Sequence, residues 1–262
     1  MITIVAGNAA YNELNAQPMV SFRNLLAEGT ITDALLPSGA PRADAVTQDT
    51  SEYWEPTGTS TLRSTLGSAQ TAAVCFIAAH TLGSEGRTLT VERLDGTWQT
   101  ITTYAPTNDD PFAIIFPDES RNGFGIGVNG ACQIGIAWIG PRLVIPGGVV
   151  PDYVPVWAAE RLEKFPGVTR RGHFRGQRIE RAGASLSAQF MPVPHSFALT
   201  DMAGFRDHYN EGNAFVWAAA PSVFPRDIAY CWADQDKTLG MSIRAAGTLV
   251  NLSMQMEAYV ER

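Results

Sequence analysis

The sequence predicts a mainly β protein built of two modules, and three observations carry that expectation. Short runs rich in Val, Ile, Thr and Phe recur at intervals of roughly ten residues through the first 150 positions, the spacing of a sandwich or jelly roll. Gly (24) and Pro (16) together exceed ordinary usage in 262 residues, as a turn-rich protein requires. The charge balance also changes along the chain: residues 1–150 hold 14 acidic and 7 basic side chains, and residues 151–262 hold 12 of each.

Taken in order, the strand candidates of the first module are Ile2–Ala6, Leu62–Leu66, Ala73–Ala79, Thr88–Leu94, Trp98–Tyr104, Phe112–Phe116, Cys132–Ile139 and Leu143–Ile145. Within Thr88–Leu94, the residues Leu89, Val91 and Arg93 alternate with Thr90 and Glu92, the period of a half-exposed strand. Asp95-Gly96 predicts a hairpin there, because Asp-Gly supplies both positive-φ positions of a type I′ turn. Ile145-Pro146-Gly147-Gly148-Val149-Val150-Pro151 breaks any regular element and marks a linker, giving modules 1–147 and 148–262. Beyond it, Arg178–Phe190 reads as a long strand that ends at Pro192 and Pro194. Asp201–Tyr209 reads as one short helix, capped by Thr200 or Asp201, with Met202, Phe205 and Tyr209 on one face. Phe215–Ala218, Ile228–Trp232, Leu239–Arg244 and Thr248–Tyr259 complete the second module as strands.

Composition excludes several classes. With 45% apolar and 17% charged residues, the chain is not of the disordered type. Its longest unbroken apolar run, Ala72–Ala79, is far short of the roughly 20 residues of a membrane helix, so no membrane span is expected. Met1–Gly7 lacks the basic flank and apolar core of a signal peptide, which predicts an unexported globular protein. A formal charge of −7 opposes phosphate, so no dedicated nucleic-acid site is expected. Cys75, Cys132 and Cys231 are far apart and form no C-x-x-C pair; they read as small buried hydrophobes in a reducing compartment.

Gly125-Ile-Gly127-Val-Asn-Gly130 matches a dinucleotide fingerprint by letter, but a strand-like run follows it where a helix is needed, so a glycine-rich turn or bulge is expected. His80 begins a turn after a buried run and predicts a structural hydrogen bond, while His208 is expected at the surface. Asp109-Asp110, Asp118-Glu119 and Asp234-Gln235-Asp236 lack calcium-loop spacing and read as solvated loop ends. No catalytic residue, metal or cofactor is expected. Arg170, Arg171, Arg175, Arg178 and Arg181 concentrate positive charge in an acidic chain, as either an interface for an acidic neighbour or an ordinary exposed β ribbon. Tyr53, Trp54 and Trp98 are the candidates for stacking on a sugar, and covering the end of a core is the alternative.

The stretches Asn24–Thr32, Asp49–Pro56, Ile77–Gly83 and Asp95–Trp98, in that order, resemble the discoidin-like jelly rolls found in many phage tail proteins. The chain departs from carbohydrate-binding discoidin relatives in having no cysteines placed for their closing bridge, so sugar binding is not carried over with the fold. Pro194–Phe197, Gly212–Trp217 and Met254–Tyr259 are similar in arrangement to the compact β-plus-helix fold of tail tube and distal tail proteins. The resemblance implies a non-enzymatic virion protein of a tailed-phage tail tip, made in the bacterial cytoplasm. It would form a homo-oligomeric ring joining the tube to host-contacting parts, with tube, hub, fibre or tape-measure proteins as partners. In such a ring the arginine strip of one copy would meet an acidic face of the next. The alternative is a receptor-recognition module that binds a host-surface glycan through Tyr53, Trp54 and Trp98.

Overall fold

A computed structural model describes residues 1–7, 9–31, 41–168, 174–244 and 247–260, with the backbone alone at 9–10 and through 162–182. In chain order the strands are β1 (Ile2–Ile4), β2 (Met19–Ser21), β3 (Thr30–Ile31), β4 (Thr59–His80), β5 (Leu89–Asp95), β6 (Thr97–Tyr104), β7 (Phe112–Asn129) and β8 (Ile134–Gly140). They continue with β9 (Leu143–Val144), β10 (Glu160–Val168), β11 (Phe174–Gln189), β12 (Val193–Pro194), β13 (Phe215–Ala218), β14 (Ile228–Ala233), β15 (Gly240–Arg244) and β16 (Leu249–Ala258). The described helices are short: α1 (Ala9–Leu14), α2 (Leu25–Glu28), α3 (His195–Leu199) and α4 (Ala203–Asn210). The molecule is mostly β in two sheets, as the sequence predicts.

The first sheet folds over on itself into a jelly-roll-like sandwich because two of its strands are long and bent. The start of β4 pairs with the end of β7, which also carries β5 and then β6; the end of β4 pairs with the start of β7 and with β8. Between these halves the register slips at Thr65/Gln70 and again at Ala72/Val74. Gly67-Ser68-Ala69 is exposed at the first slip, and Pro117, which has no ladder donor, sits opposite the second. Leu62, Phe124, Ile126 and Val91 from one layer meet Cys75, Ile77, Phe112 and Ile139 from the other in one core.

The layer built from β8 and the far halves of β4 and β7 is buried on both faces. Phe112, Ile114 and Phe116 enter the sandwich core, whereas Ala113 and Ile115 enter a second core shared with the other sheet. That explains why Ala72–Ala79 reads as a continuous apolar run and not as an alternating one. On the far side of this second core stand Val216, Ala218, Ile228 and Tyr230, with Phe76 and Tyr230 stacked at 6.2 Å. The opposite face of β13 sends Phe215 and Trp217 into a third core, closed by Phe205 and Tyr209 of α4 and by Leu252, Met254 and Met256. The second sheet also takes in β2 and β9, so strands from both sides of residue 147 lie in it.

Several local expectations need correction. Gly96 has φ of 69°, but Asp95 is not in the positive-φ region, so the β5–β6 turn is not type I′. The Gly125–Gly130 stretch is not the expected turn or bulge: it lies in the regular part of β7 and just past it, and no helix follows it, in keeping with the expected absence of a dinucleotide loop. Gly125 is there for close packing: a Cβ would come 2.8 Å from Arg63 Cγ and 2.9 Å from Leu62 O. The second module has α3 in addition to the expected helix, started by Pro194 with its fixed φ of −56°. β10 was not foreseen; it pairs with β11 to extend a hairpin past the sheet.

Candidate functional site

A cleft of about 520 Å³ opens where the two sheets meet. Asn108 and Asp110 line it from the loop between β6 and β7; Trp157 lines it from the turn Val156–Ala158 and Glu160 from the start of β10; Arg226 and Tyr259 complete it beside β14 and β16.

The Asn108–Asp110 wall is tied to the end of β4. Asp109 Oδ1 accepts the amides of Gly83 and Ser84 at 2.9 and 3.0 Å. Burial acts to raise the Asp109 carboxyl, but these donors outweigh it and hold the group below its ordinary value. His80 Nδ1 accepts the Leu82 amide at 3.2 Å, and Nε2 lies 3.1 Å from the Asp110 carbonyl oxygen. One acceptor and one donor define a neutral imidazole with its proton on Nε2. Burial lowers the His80 pKa, in keeping with that state. The structural hydrogen bond expected of His80 is therefore this one.

The opposite wall hangs on a buried carboxylate. Trp157 stands on the short 3-10 turn Val156–Ala158, which Pro155 starts at φ of −68°, and its indole is 68% exposed. Asp227, 0% exposed, accepts the Val156 amide at 2.9 Å and the Tyr153 hydroxyl at 3.3 Å, both on Oδ1. Tyr153 in turn accepts Trp217 Nε1–H at 2.9 Å. Burial pushes the Asp227 carboxyl up, and burial with the neighbouring Asp227 charge pushes the Tyr153 phenol up.

An exposed indole beside carboxylates, an amide and a guanidinium offers an apolar plate next to planar hydrogen-bonding groups. Such a surface suits a polyhydroxylated ring, with its C–H face on the plate and its hydroxyls on the planar groups. Among the described residues, no three His, Cys, Asp or Glu side chains gather as a metal site.

Asp110 is thus the acidic candidate that reaches the cleft, whereas the aromatic and arginine candidates of the sequence lie elsewhere. Trp54 is only 1% exposed, bridges Ile134 through its backbone at 2.9 and 3.0 Å and packs in the sandwich core, so it offers no face to a sugar. Tyr53 beside it is at the surface. Trp98 is half-buried at the β5–β6 hairpin, with the Arg63 guanidinium 4.8 Å from its ring and Arg63 bonded twice to Glu92 at 2.8 and 3.0 Å. Arg170 and Arg171 fall outside the described residues; Arg175, Arg178 and Arg181 lie on β11, with Arg178 opposite Phe165 and Arg181 opposite Glu163. Glu119 is paired with Arg93 and with Arg121 at 3.4 Å, and Asp118 with Arg142 at 3.6 Å, so these acids are not simply solvated loop ends. His208 is half-buried, not at the surface: its Nε2 is 2.8 Å from the Ala214 carbonyl and its ring packs on Phe22. All three cysteines are free and buried, and burial pushes the Cys132 thiol up to about 12. Trp157, Arg226 and Tyr259 were missed; an aromatic two residues after Pro155, past the linker, was the signal available for the first.

No protein-family model matches the chain, and no curated protein matches it. Solved structures do. Chitosan-binding module 1 of a chitosanase/glucanase from Paenibacillus sp. IK-5 is 15% identical, covering 45% of this chain and 97% of the module, with a TM-score of 0.38. A pectin-binding carbohydrate-binding module is 16% identical over 42% of this chain and 91% of its own, with a TM-score of 0.33. A Ruminococcus gnavus GH29 fucosidase is 13% identical over 46% of this chain but only 27% of its own, with a TM-score of 0.39.

Proposed function

We propose that this protein is a non-catalytic glycan-binding module whose ligand lies in the cleft under Trp157. The observation that carries the reading is Trp157 itself: 68% exposed, on a short 3-10 turn, facing a cleft with Asp110, Glu160, Asn108 and Arg226. A tryptophan left out of the core forgoes the burial that normally holds it, and stacking on a ligand restores it. The cleft falls within the size range of small-ligand sites. Two carboxylates against one guanidinium favour neutral or amino sugars over uronates. A glycan array probed with the full chain, followed by calorimetric titration, is expected to give saturable binding to a neutral or amino-sugar oligosaccharide. Trp157→Ala is expected to weaken it at least about tenfold while stability changes by no more than about 0.5 kcal/mol. A flat array, or undiminished binding by the variant, defeats the reading.

One observation favours a second reading, assembly as a homo-oligomeric ring in a phage tail tip together with other tail proteins. Phe174–Gly183 pairs only with β10, so the hairpin runs past the sheet, and β10 has one unpaired edge among the described strands. Seven basic and three acidic residues lie between Glu160 and Gly183 of an otherwise acidic chain. An open strand edge with complementary charge suits a neighbouring copy. Light scattering at low ionic strength is expected to show a multimer that Arg175→Glu/Arg178→Glu/Arg181→Glu dissociates; a monomer at all concentrations removes this reading.

A further inference from the structure

Asp227 is the single carboxylate among the buried residues described, and its Oδ2 has no hydrogen-bond partner there. It sits on a braced turn. Asp227 N–H bonds to Phe224 O at 2.9 Å, Val223 and Phe224 N–H bond back to Ala220 O, and the Pro225 carbonyl accepts the Ile2 amide. The segment it holds is otherwise lightly fastened. Between Pro151 and Ala159, every hydrogen bond to the rest of the described chain runs through Asp227 or through Trp217 to Tyr153. Apolar packing of Tyr153, Val156 and Ala159 on the third core supplies the remainder.

We infer that Asp227 is a positioning residue for the Trp157 platform: by taking the Val156 amide and the Tyr153 hydroxyl on one oxygen, it seats the turn that presents the indole to the cleft. The inference rests on the glycan-binding reading for its purpose, but the seat itself is a property of the chain. A carboxylate buried with one oxygen unpartnered is more costly to keep charged than the same group in water. Release of the segment would hydrate it. The titratable groups that face Asp227 are Tyr153, just ahead of the Val156–Ala158 turn, and Cys231 on β14, both pushed up and so uncharged near neutrality. Arg226, its chain neighbour, lines the cleft. Asp227 therefore binds its proton more tightly when the segment is seated than when it is released. The seat is firmest below the ordinary carboxylate range and loosens as pH rises through the elevated value.

Hydrogen–deuterium exchange of the full chain, resolved at the Val156 amide, tests this without any ligand. Asp227→Ala, which removes the acceptor, is expected to speed Val156 exchange at least about tenfold while Trp217 and Ala229 in β13 and β14 stay protected. Asp227→Asn keeps an oxygen for the same two donors and is expected to restore protection to within about threefold of the wild type. Wild-type protection, corrected for intrinsic exchange, falls with rising pH, and that of Asp227→Asn does not. Unchanged Val156 exchange in a folded Asp227→Ala, or parallel pH profiles for wild type and Asp227→Asn, overturns the assignment; if the alanine variant does not fold, the two profiles decide alone. A flat glycan array alongside the expected exchange pattern defeats the proposed function and leaves the seat standing, so the two failures are distinguishable.

Discussion

On the Asn108–Asp110 side of the cleft, two amides close on one Asp109 oxygen and both ring nitrogens of His80 are used; on the Trp157 side, one Asp227 oxygen takes two donors and the other takes none. The first wall places its carboxylate at the rim, where water and amides share the charge, and puts a neutral ring in the interior. The second does the reverse, with a carboxylate inside. Fully satisfied polar networks rigidify, and partly satisfied ones are where a structure yields first. One wall is thus expected to behave as a fixed jaw and the other as an adjustable one, with the aromatic plate mounted on the second.

The largest effect that would break this contrast is expected at His80. Its ring is buried, packs on Phe112 at 5.2 Å and serves the Leu82 amide and the Asp110 carbonyl together. His80→Ala leaves a void and orphans both groups, so a loss of about 2–4 kcal/mol is expected in urea unfolding, with an unchanged m-value. Exchange should rise at the Leu82 amide and not at Val156. The walls share no described hydrogen-bond partner, so the double variant with Asp227→Ala should be additive within about 0.5 kcal/mol. Marked coupling between them would mean one network and not two.

Much of this frame is legible in the sequence, and the part that is not has a consistent cause. Phe215–Ala218 is the same four residues in both readings, and Leu89–Asp95, Ile228–Ala233 and Leu249–Ala258 lie within one or two residues of the predicted limits. Apolar periodicity is a local property, and it survives any arrangement of layers. Stacking order is not local. Val216 and Phe215 are equally apolar neighbours, yet one enters the core between the sheets and the other enters the third core. Likewise Met19-Val20-Ser21 carries no sign that it will pair with Trp217 and Val20's other partner Leu143. Trp54 and Trp157 show the same limit at the site. Each adjoins a proline-containing irregular stretch, but Ile134 bridges the first into a core, and the second is anchored by Asp227 at the position before it, leaving the ring outside. Only the fold separates them.

The smallest effect gives the sharpest comparison, because it concerns sign. Asp109 titrates lower in the folded chain than its ordinary value of 3.8, so its contribution is present above that value and is lost as pH falls through the depressed one. Its side chain is 30% exposed, and solvent screening keeps the contribution below about 1 kcal/mol. Asp109→Asn retains an oxygen for the Gly83 and Ser84 amides and should fold; what it removes is the charge. Compared with wild type, it should lose stability near pH 6, and the loss should shrink progressively as pH falls below the ordinary carboxylate value, by urea midpoints across that range. Asp227→Asn should do the opposite, gaining on wild type as pH rises, because burial makes the folded chain bind that proton more tightly than the unfolded one. Two carboxylate-to-amide changes on facing walls of one cleft should therefore tilt the pH–stability curve in opposite directions. Slopes of the same sign would mean that both carboxylates sit in equivalent surroundings, and the distinction between a fixed and an adjustable jaw would fail with them.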